Sequence, residues 1–246
     1  MMKAMIFAAG LGTRMKPITN KLPKALAPVD GVPLLEIVIR RLKFFGIEDI
    51  IINVHYLADQ VEDFLHSKRY FDINIKISDE REQVLETGGG LKKAKWFFDD
   101  KKPFLVCNTD VLSNIDIHQL YQQHIENQAI ATLAVQQRKT SRYLLFDESQ
   151  QLSGWLNTNS GEVKLSRLEA NRLQMLGFSS FQIVEPRIFD YFPTEKNVFS
   201  TIDTFLKTAE TERIKAYIHN QDSWIDVGTP ENLQPASAIV KQLQLK

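Results

Sequence analysis

Two glycines and two cations near the start of the chain are the first residues whose types and spacing suit chemistry. The stretch Ala8-Ala9-Gly10-Leu11-Gly12-Thr13-Arg14 follows a short apolar run, and Lys24 comes soon after it. Glycines directly behind a buried strand present backbone N–H groups at the carboxyl edge of an open α/β sheet, where ligands bind. Arg14 offers a planar fork suited to phosphate, and Lys24 a compact point charge. A dinucleotide-binding turn would need its third glycine at position 15, and an ATPase loop its second glycine there. Met15 excludes both. Two carboxylates end apolar runs elsewhere, Asp110 in "PFLVCNTD" and Asp226 in "SWIDVGTP". An isolated Asp after a strand is ordinarily a turn or helix-capping residue. Two of them beside a glycine loop and two cations suggest phosphates and Mg²⁺, which takes one or two carboxylates plus phosphate oxygens.

The elements that must position these residues follow from periodicity. "AMIFAA", "DIIINV", "INIKIS" and "PFLVCN" are short apolar runs that predict buried strands. Between them, "PLLEIVIRRLKFFG", "LADQVEDFLHS", "GGGLKKAKWFFDD" and "DIHQLYQQHIEN" carry helical spacing. Alternating strands and helices imply a mostly parallel sheet with helices on both faces. From about residue 129 the texture becomes β-rich: "AIATLAVQ", "RYLLFDE", "QLSGWLN" and "MLGFSSFQIV" predict strands separated by polar turns. "PRIFDYF" and "STIDTFLKTAE" predict helices, and "RIKAYIH" a late strand. The last helix is expected over "TPENLQPASAIVKQLQ", its regular part starting late or kinking because of Pro235. The expected architecture is one compact α/β unit with a β-rich insert.

Composition narrows the function classes. The chain has 43% hydrophobic and 24% charged residues, an ordinary globular balance. Thirty basic residues offset thirty acidic ones, so no net field draws the chain to nucleic acid or an anionic membrane. The single cysteine, Cys107, leaves no internal disulfide and no multi-cysteine zinc site, and its apolar run predicts a small core residue. The apolar run behind Lys3 is too short for a signal peptide, and no stretch approaches the ~20 apolar residues of a membrane helix. A cytoplasmic protein is expected.

The stretch "AAGLGTRMKPITNKLPKALAPV" resembles the signature of the sugar-1-phosphate nucleotidylyltransferases, and "ETGGG", "NTD" and "WIDVGTP" fall where that family has its base-loop and metal motifs. The resemblance spans essentially the whole chain. It implies the nucleotide-diphospho-sugar transferase type of fold: a Rossmann-like, mostly parallel sheet with flanking helices and a β-rich sugar-binding insert. Residues 1–127 would form the nucleotide-binding part, and 128–246 the sugar-binding part and C-terminal helix of a single domain. The implied reaction joins an NTP to a sugar 1-phosphate and releases pyrophosphate. Arg14 would face the departing phosphates and Lys24 the α-phosphate and sugar phosphate. Ala9, Gly10, Leu11, Gly12 and Thr13 would wrap the nucleotide, with Gln83 and Gly88 at its base. Asn108, Gly177 and Arg142 are expected on the sugar side, Arg142 being chosen from the basic turn that also holds Arg138 and Lys139. Asp110 and Asp226 would hold Mg²⁺ as the cofactor.

The likeness is greatest to short single-domain members, which implies UTP with N-acetylmuramate 1-phosphate, or alternatively GTP with mannose 1-phosphate or another hexose 1-phosphate. Two departures bear on the sugar: Thr109 stands where the family commonly has glycine, and the Glu-Lys-Pro sugar motif has its nearest match in "GEVK" at 161–164. A nucleotide-sensing subunit without turnover is the non-enzymatic alternative; loss of Lys24 or of a metal carboxylate would mark it, and neither is lost. Transfer to phosphocholine would call for an aromatic cage, and "ETGGG" points away from it. His55, after "IIINV", also reaches the carboxyl edge, where a lone His is more often an ordinary loop residue than a catalyst, and His66, His118, His124 and His219 show no metal-ligand spacing. The expected partners are the NTP and the sugar phosphate, with neither nucleic acid nor membrane, and the sequence leaves the oligomeric state open.

Overall fold

A computed structural model describes residues 2–167 and 172–245. In chain order the strands are β1 Lys3–Phe7, β2 Pro28–Val29, β3 Val32–Pro33, β4 Asp49–Val54, β5 Asn74–Asp79, β6 Phe104–Asn108 and β7 Val111–Ser113. They continue with β8 Ala131–Gln136, β9 Arg142–Phe146, β10 Leu152–Asn157, β11 Val163–Leu165, β12 Gln174–Val184, β13 Ile214–Ile218 and β14 Trp224–Asp226. The α-helices are α1 Leu34–Phe44, α2 Ala58–Ser67, α3 Glu86–Lys93, α4 Ile117–Asn127, α5 Thr201–Thr208 and α6 Leu233–Val240.

The ten-stranded central sheet runs β11-β10-β9-β12-β6-β1-β4-β5, with β8 and β13 joined to it through β12. β1 pairs parallel with β4 and β6, and β4 with β5, so their carboxyl ends share one edge. β12 is antiparallel to β6, β8 and β9, which makes the β-rich part continuous with the parallel core rather than an appended layer. Its register against β8 shifts between Phe178 and Gln182, and Ser180 there has φ +62°. Such a bulge bends the strand and lets one half of β12 pair with β9 and the other with β6.

Side chains alternate between two buried clusters along the central strands, as period-2 geometry requires. Ala4, Ile6, Ile50, Ile52, Leu105 and Cys107 face one side with α1, α2, α4 and α6. Met5, Ile51, Phe104 and Val106 face the other with α3 and α5. Cys107 is fully buried, and burial pushes its thiol up to about 12, so it serves packing rather than nucleophilic chemistry.

Most boundaries follow local signals. Pro33 precedes α1, Asp116 caps α4 by accepting from the His118 and Gln119 N–H groups, and Ser200 caps α5 through Ile202 N. Three expectations shift. The helix expected over residues 88–100 starts at Glu86 and ends at Lys93, because the chain must turn for Phe98 to stack on Phe104, centroids 3.8 Å apart. "PRIFDYF" forms a 3₁₀ helix, Pro186–Tyr191. The C-terminal helix begins with a 3₁₀ turn at Pro230–Asn232, and its α-helical part holds Pro235 in the first turn, where a missing N–H is harmless.

Candidate active site

The shared carboxyl edge opens into a cleft lined by Ala8, Ala9, Gly10, Lys24, Asn53, Glu80, Asn108 and Asp110, among others. The glycine loop forms its rim. Asn53, near the end of β4, accepts the Ala8 N–H at 2.7 Å and so fixes where the chain leaves β1. Gly12 has φ +63°, and its carbonyl accepts from Met15 N at 2.9 Å and Thr19 Oγ1 at 2.7 Å. A Cβ there would lie 2.8 Å from Thr19 Cγ2 and 3.0 Å from Lys24 Cβ, so only glycine lets the loop close onto the lysine segment. Ala9 is buried, while Gly10, Leu11, Thr13 and Arg14 are exposed.

The two aspartates are brought together by a pair of three-residue strands. β7 starts at the residue after Asp110, β14 ends at Asp226, and the antiparallel register sets Asp226 opposite Val111. Val227 N donates to Asp110 O at 2.7 Å, which locks the two carboxylate-bearing residues side by side. The Lys24 ammonium contacts Asp110 Oδ2, and Arg14 Nη2 lies 3.7 Å from Asp226 Oδ2. A Cβ at Gly228 would fall 2.5 Å from Asp226 Oδ1 and 2.6 Å from Arg14 Nη2, so that glycine clears the space in which the pair meets. Arg14, Lys24, Asp110 and Asp226, far apart in sequence, thus form one alternating cluster of charges.

That cluster suits a divalent cation. Asp226 Oδ1 is buried and has no hydrogen-bond partner, an orphan acceptor that a cation would satisfy. Among the described residues no group of three or more His, Cys, Asp or Glu side chains could hold a metal. Two carboxylates with the remaining positions left to phosphate oxygens and water match the coordination habit of Mg²⁺ and not that of a structural zinc.

At the far end of the cleft the structure adds residues that the sequence reading missed. Glu80 follows β5 and is 1% exposed. Its Oε1 accepts from Asn53 Nδ2 at 2.8 Å and its Oε2 from Leu85 N at 3.3 Å, tying the loop before α3 to the residue that holds Ala8. Burial is the largest influence on this carboxyl and pushes it above the ordinary range, against the pull of the two donors. Gln83 is exposed and lies on a neighbouring depression with Lys92 and Asn197 rather than on the cleft lining. Gly88 is also away from the lining. A Cβ on it would stand 2.3 Å from the Phe199 ring, and its N–H donates to Phe199 O at 2.8 Å. Glycine at 88 therefore permits close packing of α3 on the segment before α5.

On the β-rich side, Asn108 lines the cleft at the end of β6. Thr109 has no positive φ, and its N–H and Oγ1 both donate to Phe7 O, at 3.1 and 2.5 Å. The threonine thus braces β6 against β1 with ordinary backbone geometry. Of the basic turn, Arg138 is the residue turned inward. Its guanidinium carbon sits 3.8 Å from the Trp224 ring centroid, and Nη2 donates to Phe178 O at 2.7 Å. Arg142, expected to face the sugar, is exposed at the start of β9, opposite Asn157 of β10. Position along a strand suggested Arg142; the residue of this turn that stacks on Trp224, supplied from far along the chain, is Arg138. Gly177 packs against Arg138, for a Cβ there would meet its Cγ, Nε and Cζ at 3.0 Å. Lys164 of "GEVK" is committed to Asp203 at 2.9 Å.

A buried polar network holds β14 in place. His219 Nε2 pairs with Ser179 Oγ at 2.8 Å, and Nδ1 lies 3.3 Å from Asp222 Oδ2. Ser179 is fully buried in the bulge of β12, so this Ser-His-Asp arrangement has no access to a substrate. It anchors the chain instead: Trp224 Nε1 donates to Ser179 O at 3.0 Å, and Gln136 Nε2 donates to the carbonyls of His219 and Asp222.

The chain is similar to known proteins in sequence and fold. The nucleotidyl transferase family profile matches residues 3–150. The N-acetylmuramate alpha-1-phosphate uridylyltransferase of Neisseria meningitidis serogroup B is 33% identical over 243 residues, covering 97% of this chain and 98% of that protein. The UTP–glucose-1-phosphate uridylyltransferase of Synechocystis sp. is 32% identical over 244 residues, covering 92% of this chain; the chain spans 60% of that longer relative. In fold the chain matches HddC from Yersinia pseudotuberculosis complexed with GMP-PN, with a TM-score of 0.77, 22% identity, and 97% and 99% of the two chains covered.

Proposed function

Given that this chain belongs to the nucleotidyl transferase family and is a sugar-1-phosphate nucleotidylyltransferase, we propose that it joins UTP to N-acetylmuramate 1-phosphate and releases pyrophosphate. The observation that carries the choice of substrate is the Neisseria relative, which matches along essentially the whole of both chains.

The reaction brings two polyanions together. A sugar phosphate oxygen forms a bond to the α-phosphorus as the bond to the β-phosphate oxygen breaks, and pyrophosphate leaves. The attacking phosphate is already an anion near pH 7, so no general base is needed, in keeping with the burial of Ser179. Two unit charges 4 Å apart repel by about 4 kcal/mol at an effective dielectric of 20, so catalysis is positioning and charge neutralisation. The loop from Ala9 to Thr13 binds the nucleotide. Lys24, within the cleft and against Asp110, serves the α-phosphate and the sugar phosphate. Arg14, exposed at the rim, serves the departing phosphates. Asp110 and Asp226 would hold Mg²⁺, which supplies Lewis-acid charge stabilisation when bound. Asn108 faces the sugar side.

A pyrophosphate-release assay of the four common NTPs against N-acetylmuramate 1-phosphate, N-acetylglucosamine 1-phosphate and mannose 1-phosphate tests the reading. UTP with the muramate should give the highest kcat/KM. A preference for GTP with mannose 1-phosphate would replace it with the alternative substrate pair. No turnover with any pair would leave the non-catalytic sensor.

A further inference from the structure

Three cations surround the two aspartates, and they are not equivalent. Lys24 contacts Asp110 and Arg14 approaches Asp226. Burial lowers the proton affinity of Arg138, and the Asp226 carboxylate opposes this through space. Its Nη2 is used by Phe178 O, but its Nε is buried with no hydrogen-bond partner. A buried cationic donor lacking an acceptor is costly and calls for a reason.

The placement supplies one. Trp224, on which Arg138 lies, is two residues before Asp226 on β14, and residues i and i+2 of a strand share a face about 7 Å apart. The guanidinium therefore lies on the same face of β14 as Asp226, whose charge acts on it through space. Gly177 of β12 leaves the room that the Arg138 stem and Nε occupy. Arg138 as a whole is only half-buried, and the stack fixes the plane of its fork, so the part of the guanidinium other than the sealed Nε is pre-organised for an oxyanion.

We propose that Arg138 is the anion-reading residue of the acceptor side, donating to an oxyanion carried by the sugar 1-phosphate. This rests on the reading that the acceptor is a sugar 1-phosphate. The oxyanion is either the 1-phosphate, common to every acceptor, or a carboxylate on the sugar, present in N-acetylmuramate and absent from N-acetylglucosamine.

The test measures KM for both acceptors at saturating NTP, KM for the NTP, and Tm, in wild type and in Arg138→Met, Arg138→Lys and Gly177→Ala. Arg138→Met, which keeps an unbranched stem on Trp224, should raise the acceptor KM about 10- to 100-fold, the scale of losing a charge-assisted hydrogen bond. The NTP KM should stay within about twofold, a split that a merely structural role would not produce. Arg138→Lys should not restore the acceptor KM, because a point charge lacks the stacked fork. Gly177→Ala should raise the acceptor KM by displacing the guanidinium. Equal losses on the two acceptors assign the 1-phosphate, and a loss confined to the muramate assigns the carboxylate. Unchanged acceptor KM in Arg138→Met, or equal rises for acceptor and NTP, overturns the proposal. If Arg138→Met fails to fold, the same criteria applied to Arg138→Lys and Gly177→Ala decide it. Wild-type turnover judges the functional reading separately: no activity on either acceptor contradicts that reading before any variant is compared.

Discussion

Replacing Gly88 by Ala separates two accounts of the "ETGGG" segment. The new Cβ would lie 2.3 and 2.4 Å from two Phe199 ring carbons and 2.7 Å from Phe199 O. Carbon contacts are comfortable at about 3.5–4.0 Å, so one side must retreat by roughly 1 Å or more. Retreat is resisted, because Phe199 is 4% exposed, its ring packs edge-on against Phe192 at 5.4 Å, and its carbonyl accepts from the N–H groups of Gly88 and Gly89. Overpacking of this kind costs about 1–3 kcal/mol, and a strained hydrogen bond adds about 1 kcal/mol. The better helix propensity of Ala returns up to about 1 kcal/mol. The net loss of about 1–3 kcal/mol corresponds to a Tm lower by roughly 2–12 °C for a chain of this size. Thermal unfolding without substrates reads it directly. Gly10→Ala is the contrast: nothing lies within 4 Å of its Cβ position, and Gly10 lines the cleft. That variant should keep the wild-type Tm while raising the NTP KM. A Gly88→Ala protein with unchanged Tm and a raised NTP KM would refute the packing argument and favour close approach of the base at this glycine.

Asp226→Ala and Asp110→Ala should each lower kcat at least ~10²-fold, the scale of one lost electrostatic stabiliser; full activity of either, or activity in excess EDTA, would contradict the metal assignment. Lys24→Ala should weaken use of the sugar phosphate more than that of NTP, and Arg14→Ala the reverse, as read from separate KM titrations; wild-type values in both would undo the roles. The pH dependence of stability should carry the mark of Glu80. Its carboxyl is raised in the fold, so the folded chain holds that proton more tightly, and stability falls as pH rises from the ordinary carboxylate range through the raised value. Denaturant titrations of wild type and Glu80→Gln should therefore diverge in favour of the variant as pH rises from about 4.5 towards neutrality; parallel curves would show that this carboxyl titrates alike in both states.

What could be read in the sequence was what local order encodes. The glycine loop, Asp110 and Asp226 each stand directly behind an apolar run, and strand ends at one sheet edge are where an α/β fold gathers its chemistry. Arg14 and Lys24 were legible for the same reason. Glu80 and Asn53 were not: each is a lone polar residue at a strand end, and their importance arises from a contact that only the β4–β5 pairing creates. Arg142 was favoured over Arg138 from its place at a strand start, and which residue of that turn lies inward is decided by Trp224, a residue of a distant three-residue strand. β7 and β14, which juxtapose the aspartates, are too short to announce themselves by periodicity. The bulge in β12 was hidden for another reason: Ser179 and Ser180 sit inside what reads as one continuous strand.

Nucleotidylyl transfer to a sugar 1-phosphate changes every phosphorus signal of both substrates, so phosphorus NMR of a single reaction follows it from start to finish. With UTP, N-acetylmuramate 1-phosphate and Mg²⁺, the wild-type protein should produce one pyrophosphate for each nucleotide-sugar diphosphate formed, with the UTP and sugar 1-phosphate signals falling together. Adding Asp226→Ala protein in its place should leave both substrates essentially intact. Release of orthophosphate from UTP without consumption of any sugar 1-phosphate, or no change in either substrate across the whole panel of nucleotides and sugars, would contradict the account.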